Sequence, residues 1–262
     1  MNEDLRRRVE REKAAHTEQD VLERNRRLRS RFAHIDCYPS KRRLYAVIER
    51  HTQDLTGKVV LDYGCGPGGD LVKYLRAGAL KVCGMDISES YIGRAKALCA
   101  AKGYAPERYD VRVMDAHHLD YAAGTFDYVI GRGILHHLDV RVARHSLHRV
   151  LKTGGRMLFA EPLAGNPMLK LFRRLTPRAR TKDERPFTGK DLADLFPPSL
   201  WLSEVSFSGI VEAPVSMMTS FLAPSNPDNV LLRAADKLEG WFHKRQILPS
   251  WNQVVLFNLT KK

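Results

Sequence analysis

The 262-residue chain predicts an α/β protein built on a mostly parallel, seven-stranded sheet flanked by helices. Three observations carry that prediction. Short apolar runs rich in β-branched residues alternate with helical patterns from Lys58 to about Leu163, as βαβ units require. A glycine-rich turn, Gly64-Cys65-Gly66-Pro67-Gly68-Gly69, directly follows the first of these runs, where a strand can hand over to a helix around a ligand. With 44% hydrophobic and 28% charged residues, the chain can bury a sizeable core, which excludes a disordered or collagen-like polymer.

The elements follow in order. Residues 2–31 are polar and rich in Arg and Glu, and Leu5, Val9, Val21, Leu22 and Leu28 are too sparse for a deep core stripe, so one or two exposed helices are expected. Arg6, Arg7, Arg8, Arg24, Arg26, Arg27, Arg29 and Arg31 form either an anion-binding arm or a solvated face. Tyr38-Pro39-Ser40 breaks the pattern with an extended pre-proline residue and a candidate cap, and a helix is expected from Ser40 to Thr52. Strands are expected at residues 59–61, 81–85, 111–113, 126–130 and 156–160, with helices near Asp70–Ala77, Ser88–Ala101 and Val140–Leu151; Gly154-Gly155 stops the last helix. Five prolines among residues 164–199 predict short helices joined by loops. A strand near Leu202–Ile210, a helix near Pro227–Phe242 and a strand near Asn252–Leu259 complete the sheet. The expected division is a helical arm or lid over 1–56, a ligand-binding core over 57–163, and insertions plus the last two strands over 164–262.

Composition excludes several classes. The longest apolar runs fall far short of the roughly 20 residues a membrane-spanning helix needs, so no span is expected. The first residues, Met-Asn-Glu-Asp-Leu-Arg-Arg-Arg, lack the apolar stretch of a secretory signal, so a cytoplasmic protein is expected. Cys37, Cys65, Cys83 and Cys99 form no CxxC pair; reduced thiols and no structural metal are expected. The net charge is +13, and 11 of those excess charges fall in residues 1–58 and 164–190. Such a balance favours an anionic partner without choosing which.

The sharpest motif is Asp62-Tyr63-Gly64-Cys65-Gly66-Pro67-Gly68. Glycines there let backbone approach a ligand closely. A second acid, Asp86, ends the next expected strand 18 residues after Gly68, a spacing that suits a carboxylate receiving ribose hydroxyls. Taken singly, Asp62 reads as a turn cap, Asp86 as a helix cap and Asp115 as a loop residue. Together, at successive strand ends, they converge on one crevice.

At these residues the sequence resembles the class I S-adenosylmethionine-dependent methyltransferases, in particular small-molecule members of the ubiquinone/menaquinone-methyltransferase-like superfamily. The pattern DxGxGxG, read as Asp62, Gly64, Gly66 and Gly68, looks like their first motif. The likeness continues through Asp86-Ile87, Asp115-Ala116, the Phe126–Gly131 strand with His136-His137, and Thr153-Gly154-Gly155, five motifs in the family's order over about residues 57–163. It implies a Rossmann-like sheet whose last strand is antiparallel, with helical insertions over the active site. It also implies S-adenosylmethionine as cofactor, with S-adenosylhomocysteine as product. Cofactor contacts are implied for Asp62, Gly64, Cys65, Gly66, Gly68, Asp86 (ribose), Ile87, Asp115 and Ala116 (adenine) and Gly131.

Methyl transfer is an in-line displacement that needs alignment and dryness, and a base only where the acceptor must lose a proton. His137 and His136 follow the fourth expected strand, and a near-neutral imidazole there suits proton transfer; the alternative is that His-His-Leu only opens a helix. Glu161, at the end of the fifth strand, is a further candidate. His117 reads as structural.

On the acceptor side, Arg173, Arg178 and Arg180 lie in the basic 164–190 stretch. Arginine forks match carboxylate or phosphate, so the expected partner is a small-molecule acceptor with an anionic group, a secondary metabolite or a quinone- or lipid-like molecule methylated on O, N or C. The alternatives are an RNA methyltransferase and a non-catalytic S-adenosylmethionine-binding protein. Against RNA, Gly131-Arg132-Gly133 stands where base-modifying relatives carry an Asn-Pro-Pro-Tyr type motif, and no aromatics interleave with the positive charge. Monomer and homodimer both stay open.

Overall fold

The structure, a computed structural model, describes residues 32–175, 185–188, 196–197 and 199–262, together with Glu3, Arg7, residues 9–11, Lys13 and Ala14. Apart from Arg7, the arginines of the proposed arm lie outside the described residues, as do Arg178 and Arg180.

Helix α1 (Pro39–Thr52) opens with proline at its first position and the extended Tyr38 (φ −66°, ψ 153°) before it. Proline is preset for that position and lacks only an amide the helix leaves unpaired. Ser40 is therefore inside the helix, with its amide received by Glu212 at 2.9 Å.

Five strands then run parallel: β1 (Val59–Tyr63), β2 (Lys81–Asp86), β3 (Tyr109–Val113), β4 (Phe126–Arg132) and β5 (Leu151–Pro162). Helices α2 (Gly69–Arg76), α3 (Glu89–Ala101) and α4 (Val140–Val150) make crossovers between them. Beyond β5 come α5 (Pro167–Leu175), β6 (Trp201–Ser208), α6 (Glu212–Leu222), α7 (Val230–Lys244) and β7 (Val254–Lys261). The sheet order is β3-β2-β1-β4-β5-β7-β6, and β7 lies antiparallel between β5 and β6, so the seven-stranded, Rossmann-like sheet with an antiparallel last strand is as expected.

Alternation along the strands sends Leu61, Tyr63, Val129, Met157 and Phe159 to one face and Val60, Val82, Ile130 and Leu158 to the other, because successive side chains of a strand point to opposite sides. Leu147 of α4 packs on the first face. Leu44 and Ile48 of α1, Leu71 of α2 and Ile92 of α3 pack on the second. The order reverses between β1 and β4, and α/β sheets bind ligands at the carboxyl ends of strands beside such a switch.

Helix α6 was not marked in the sequence, which there holds Pro214 and a mixture of Val, Ser and Thr. Its start is capped from elsewhere: the buried Glu239 carboxylate of α7 receives the amides of Gly209, Ile210, Val211 and Glu212 at 2.8 to 3.1 Å. Negative charge at a helix N-terminus answers both the orphan amides and the dipole. All four cysteines are free thiols.

Candidate active site

A cleft of about 450 Å³ lies at the carboxyl ends of β1 to β4. Its β1 wall is the glycine turn. Gly68 caps α2 in the left-handed region (φ +88°), and a Cβ there would stand 2.8 Å from the Ala95 backbone; glycine alone gives both the turn and the close helix packing. Gly66 (φ +50°) has open space where a Cβ would point. Gly64, Cys65 and Gly66 line the cleft, while Gly68 stands behind it. Burial pushes the Cys65 thiol well above its ordinary range, so it acts as an inert wall.

Asp86 faces the same space. Its Oδ2 receives the Gly66 amide at 3.0 Å and its Oδ1 the Ser88 amide at 2.9 Å, which fixes the carboxylate and leaves lone pairs for a ligand. Ile87 lines the cleft beside it. Just beyond β3, Asp115 Oδ1 receives both the amide and the Nδ1–H of His117 (2.9 and 2.7 Å), while His117 Nε2 accepts the Asp139 amide at 3.0 Å. That pair of contacts sets the His117 tautomer and ties the 115–117 loop to the start of α4. Burial raises the Asp115 carboxyl, but the His117 bonds more than offset it and leave it below its ordinary range. The Tyr63 hydroxyl donates to the Ala116 carbonyl and pins the same loop.

At the ends of β1 and β4, Asp62 Oδ2 and Arg132 Nε are buried without a hydrogen-bond partner among the described residues. Asp62 does not itself line the cleft; it is buried, and burial, with Asp70 beside it, pushes its carboxyl well above the usual range. Arg132, at the end of β4, lines the cleft. Its guanidinium stands 3.4 Å from Asp70 and lies 5.2 Å over the Tyr45 ring. Sequence reasoning missed Arg132, although a cation between Gly131 and Gly133 at a buried strand end was a usable signal. Gly131 itself does not line the cleft; a Cβ there would meet the Phe159 ring at 2.5 Å, so its place is packing.

On the opposite rim, residues 135–137 form a single 3-10 turn. The fully buried Glu161 receives the amides of Ile134, Leu135 and His136 (3.0, 2.9 and 3.3 Å) and the Nδ1–H of His136 (2.9 Å). Donation from Nδ1 leaves Nε2 as the lone-pair nitrogen of His136. His137 lines the cleft, its ring 4.1 Å from that of His136. Glu161, expected as a candidate base, is a positioning group, because its oxygens are enclosed and occupied. Arg173 does not reach the cleft either; its Nη2 donates to the Leu163 carbonyl at 2.7 Å. From the N-terminal segment, Val9 lines the cleft and Lys13 pairs with Glu89 of α3 at 2.9 Å.

A reversed-order parallel sheet with an antiparallel last strand, a glycine turn after β1 and acids at the ends of β1, β2 and β3 define the class I methyltransferase architecture. Residues 60–155 match the model of the methyltransferase domain family. The chain is 32% identical over 155 residues to a demethylmenaquinone methyltransferase of Lactococcus lactis, covering 58% of this chain and 59% of that protein. It is 35% identical over 119 residues to a ubiquinone/menaquinone biosynthesis C-methyltransferase of Cereibacter sphaeroides, covering 44% and 46%. It therefore spans about half the length of these curated relatives. A phosphoethanolamine N-methyltransferase of Haemonchus contortus, solved with S-adenosylmethionine, shares the fold at a TM-score of 0.58 and 20% identity, over 84% of this chain and 52% of that one.

Proposed function

We propose that the protein transfers a methyl group from S-adenosylmethionine to O, N or C of a small-molecule acceptor. The observation that carries this reading is the pair of buried atoms, Asp62 Oδ2 and Arg132 Nε, that have no hydrogen-bond partner among the described residues, next to a cleft lined by Arg132, Asp86 and Asp115. A dry acceptor and a dry donor are unfavourable unless a ligand answers them. The cofactor's amino-acid end has an ammonium for Asp62 and a carboxylate for Arg132. Asp86 suits the ribose hydroxyls, Asp115 and Ala116 the adenine edge, and Gly64, Cys65 and Gly66 a close backbone approach. The residues present thus fit the whole molecule.

When bound, S-adenosylmethionine supplies a methyl group activated on a sulfonium. The chain's own task is then to align the acceptor and exclude water. His137, on the cleft rim, takes the acceptor proton where there is one to lose; His136, oriented by Glu161, buttresses its ring. The apolar body of a quinone- or lipid-like acceptor is supported by the relatives named for quinone methylation. An anionic group on it is supported by the basic 164–190 stretch, with Arg178 and Arg180 as its contacts; Arg173 is engaged with Leu163.

Calorimetric titration with S-adenosylmethionine and S-adenosylhomocysteine, followed by incubation with labelled cofactor and a small-molecule extract, tests the reading. Saturable binding and a labelled small product are expected. No binding of either molecule, or label found only in RNA, would overturn it.

A further inference from the structure

We infer that the outer face of α7 docks on an anionic phospholipid surface. At about 100° per residue, Leu232, Ala235 and Glu239 of α7 turn inward and are buried. The outward half splits into two strips. One is apolar: Val230, Leu231, Leu238 and Trp241 are between 45% and 68% exposed. The other is cationic, with Arg233, Lys237 and Lys244 exposed beside it.

Arg245, the residue that ends the helix, stands 4.6 Å over the Trp241 ring and joins the two strips. The helix's acids lie off this face: Glu239 is buried, and Asp236 is half-buried and paired with Arg43. Asp228, just before the helix, is 3.5 Å from Arg233.

The loop beyond α7 extends the surface. Leu248 and Trp251 are exposed, at 43% and 38%, and Leu248 is held at φ 49° and Gln246 at φ 51°, a conformation side-chain-bearing residues seldom adopt. The loop is tied to the helix end by His243 Nε2 to Asn252 Oδ1 (3.0 Å) and by the Ile247 amide to the Phe242 carbonyl (3.1 Å).

Exposed leucines and tryptophans bordered by Lys and Arg are what a bilayer interface accepts: apolar side chains enter the acyl boundary, indoles sit at headgroup level and cations meet anionic phosphates. A second copy on the same face would set cation strips against each other. No helix of the described residues is long and apolar enough to cross a membrane, so the association lies on the surface. It stands apart from the proposed chemistry, since none of these residues lines the cleft.

Flotation of the full chain with vesicles of equimolar phosphatidylcholine and phosphatidylglycerol, against pure phosphatidylcholine, tests the inference. Flotation with the anionic vesicles only is expected, lost in high salt, with a blue shift of indole emission. Trp201 is buried in the fold, so that shift reports Trp241 and Trp251. The pairs Leu238→Glu with Trp241→Ala, and Lys237→Glu with Lys244→Glu, should each lower partitioning about tenfold or more at unchanged melting temperature and cofactor affinity. The inference is overturned if the folded protein fails to float with anionic vesicles, or if both pairs float undiminished. It is equally overturned if the protein is a dimer that Leu238→Glu dissolves and that binds no vesicles.

Discussion

His136 Nδ1 lies 2.9 Å from Glu161 Oε2, and the same carboxylate gathers three amides of the turn that rims the cleft. A strand-borne, fully buried acid thus shapes the loop on which both candidate histidines sit. Replacing it by Ala strands those donors, and a buried hydrogen bond to a charged group contributes about 1.5–3 kcal/mol. Glu161→Ala is expected to lower unfolding free energy by about 3 kcal/mol or more, and Glu161→Gln by less, in urea titrations; equal stability of Ala and native protein would remove the positioning role.

Asp62 should make cofactor binding pH-dependent. Its carboxyl, raised by burial and by Asp70 and Asp86, with Arg132 and Lys73 opposing, stays protonated to higher pH in the free protein. An ammonium beside it favours the ionised form. Binding therefore releases a proton, and affinity rises as pH climbs through the raised range. Calorimetry in buffers of different ionisation enthalpy should detect the proton in the native protein and not in Asp62→Asn; a flat affinity profile in the native protein would contradict this.

Arg132→Met should weaken S-adenosylmethionine about tenfold or more while binding of adenosine, which lacks the carboxylate, changes little. Loss of both to the same extent would place Arg132 in loop packing instead.

Asp86→Ala should raise the dissociation constant for both cofactor and product about 10- to 100-fold, since two hydroxyls lose a charged acceptor. Normal affinity in this variant would rule out the ribose assignment.

Glu212 sets a pH dependence of stability remote from the cleft. Burial, partly offset by the hydrogen bonds from Ser40 and reinforced by the Glu239 and Asp236 carboxylates, pushes it up to about 7. A carboxyl raised in the folded state adds stability that is complete below its ordinary value, 4.5, and is lost as pH rises through the folded value. Glu212→Gln should therefore gain on the native protein by roughly 2 kcal/mol between about pH 5 and about pH 8; parallel stability curves would show that Glu212 does not titrate in this window.

The parallel half of the sheet was legible because its cues are local: β-branched runs of strand length, a glycine turn and acids at strand ends. Helix α6 was not, because its cap comes from Glu239, some 27 residues further along the chain. Arg132 and Asp62 were separate facts in the sequence; only the parallel register of β1 on β4, which sets Asp62 beside Ile130, makes them neighbours. Glu161 was found at its strand end, but nothing local showed that the 134–136 turn would fold onto it. The opposite failing held for Arg173, whose residue type suited an anion and whose helix instead points it at the Leu163 carbonyl.

The place of β7 has a consequence for how the protein is made. It follows β6 in sequence yet is inserted between β5 and β6, so on the ribosome β6 has no neighbour in the sheet until β7 has emerged. The half of the sheet from β1 to β5 can condense during synthesis from nearby segments, whereas the half beyond β5 must wait with an unpaired strand. A chaperone that binds the nascent chain should therefore engage it longest between the appearance of Trp201 and that of Lys261.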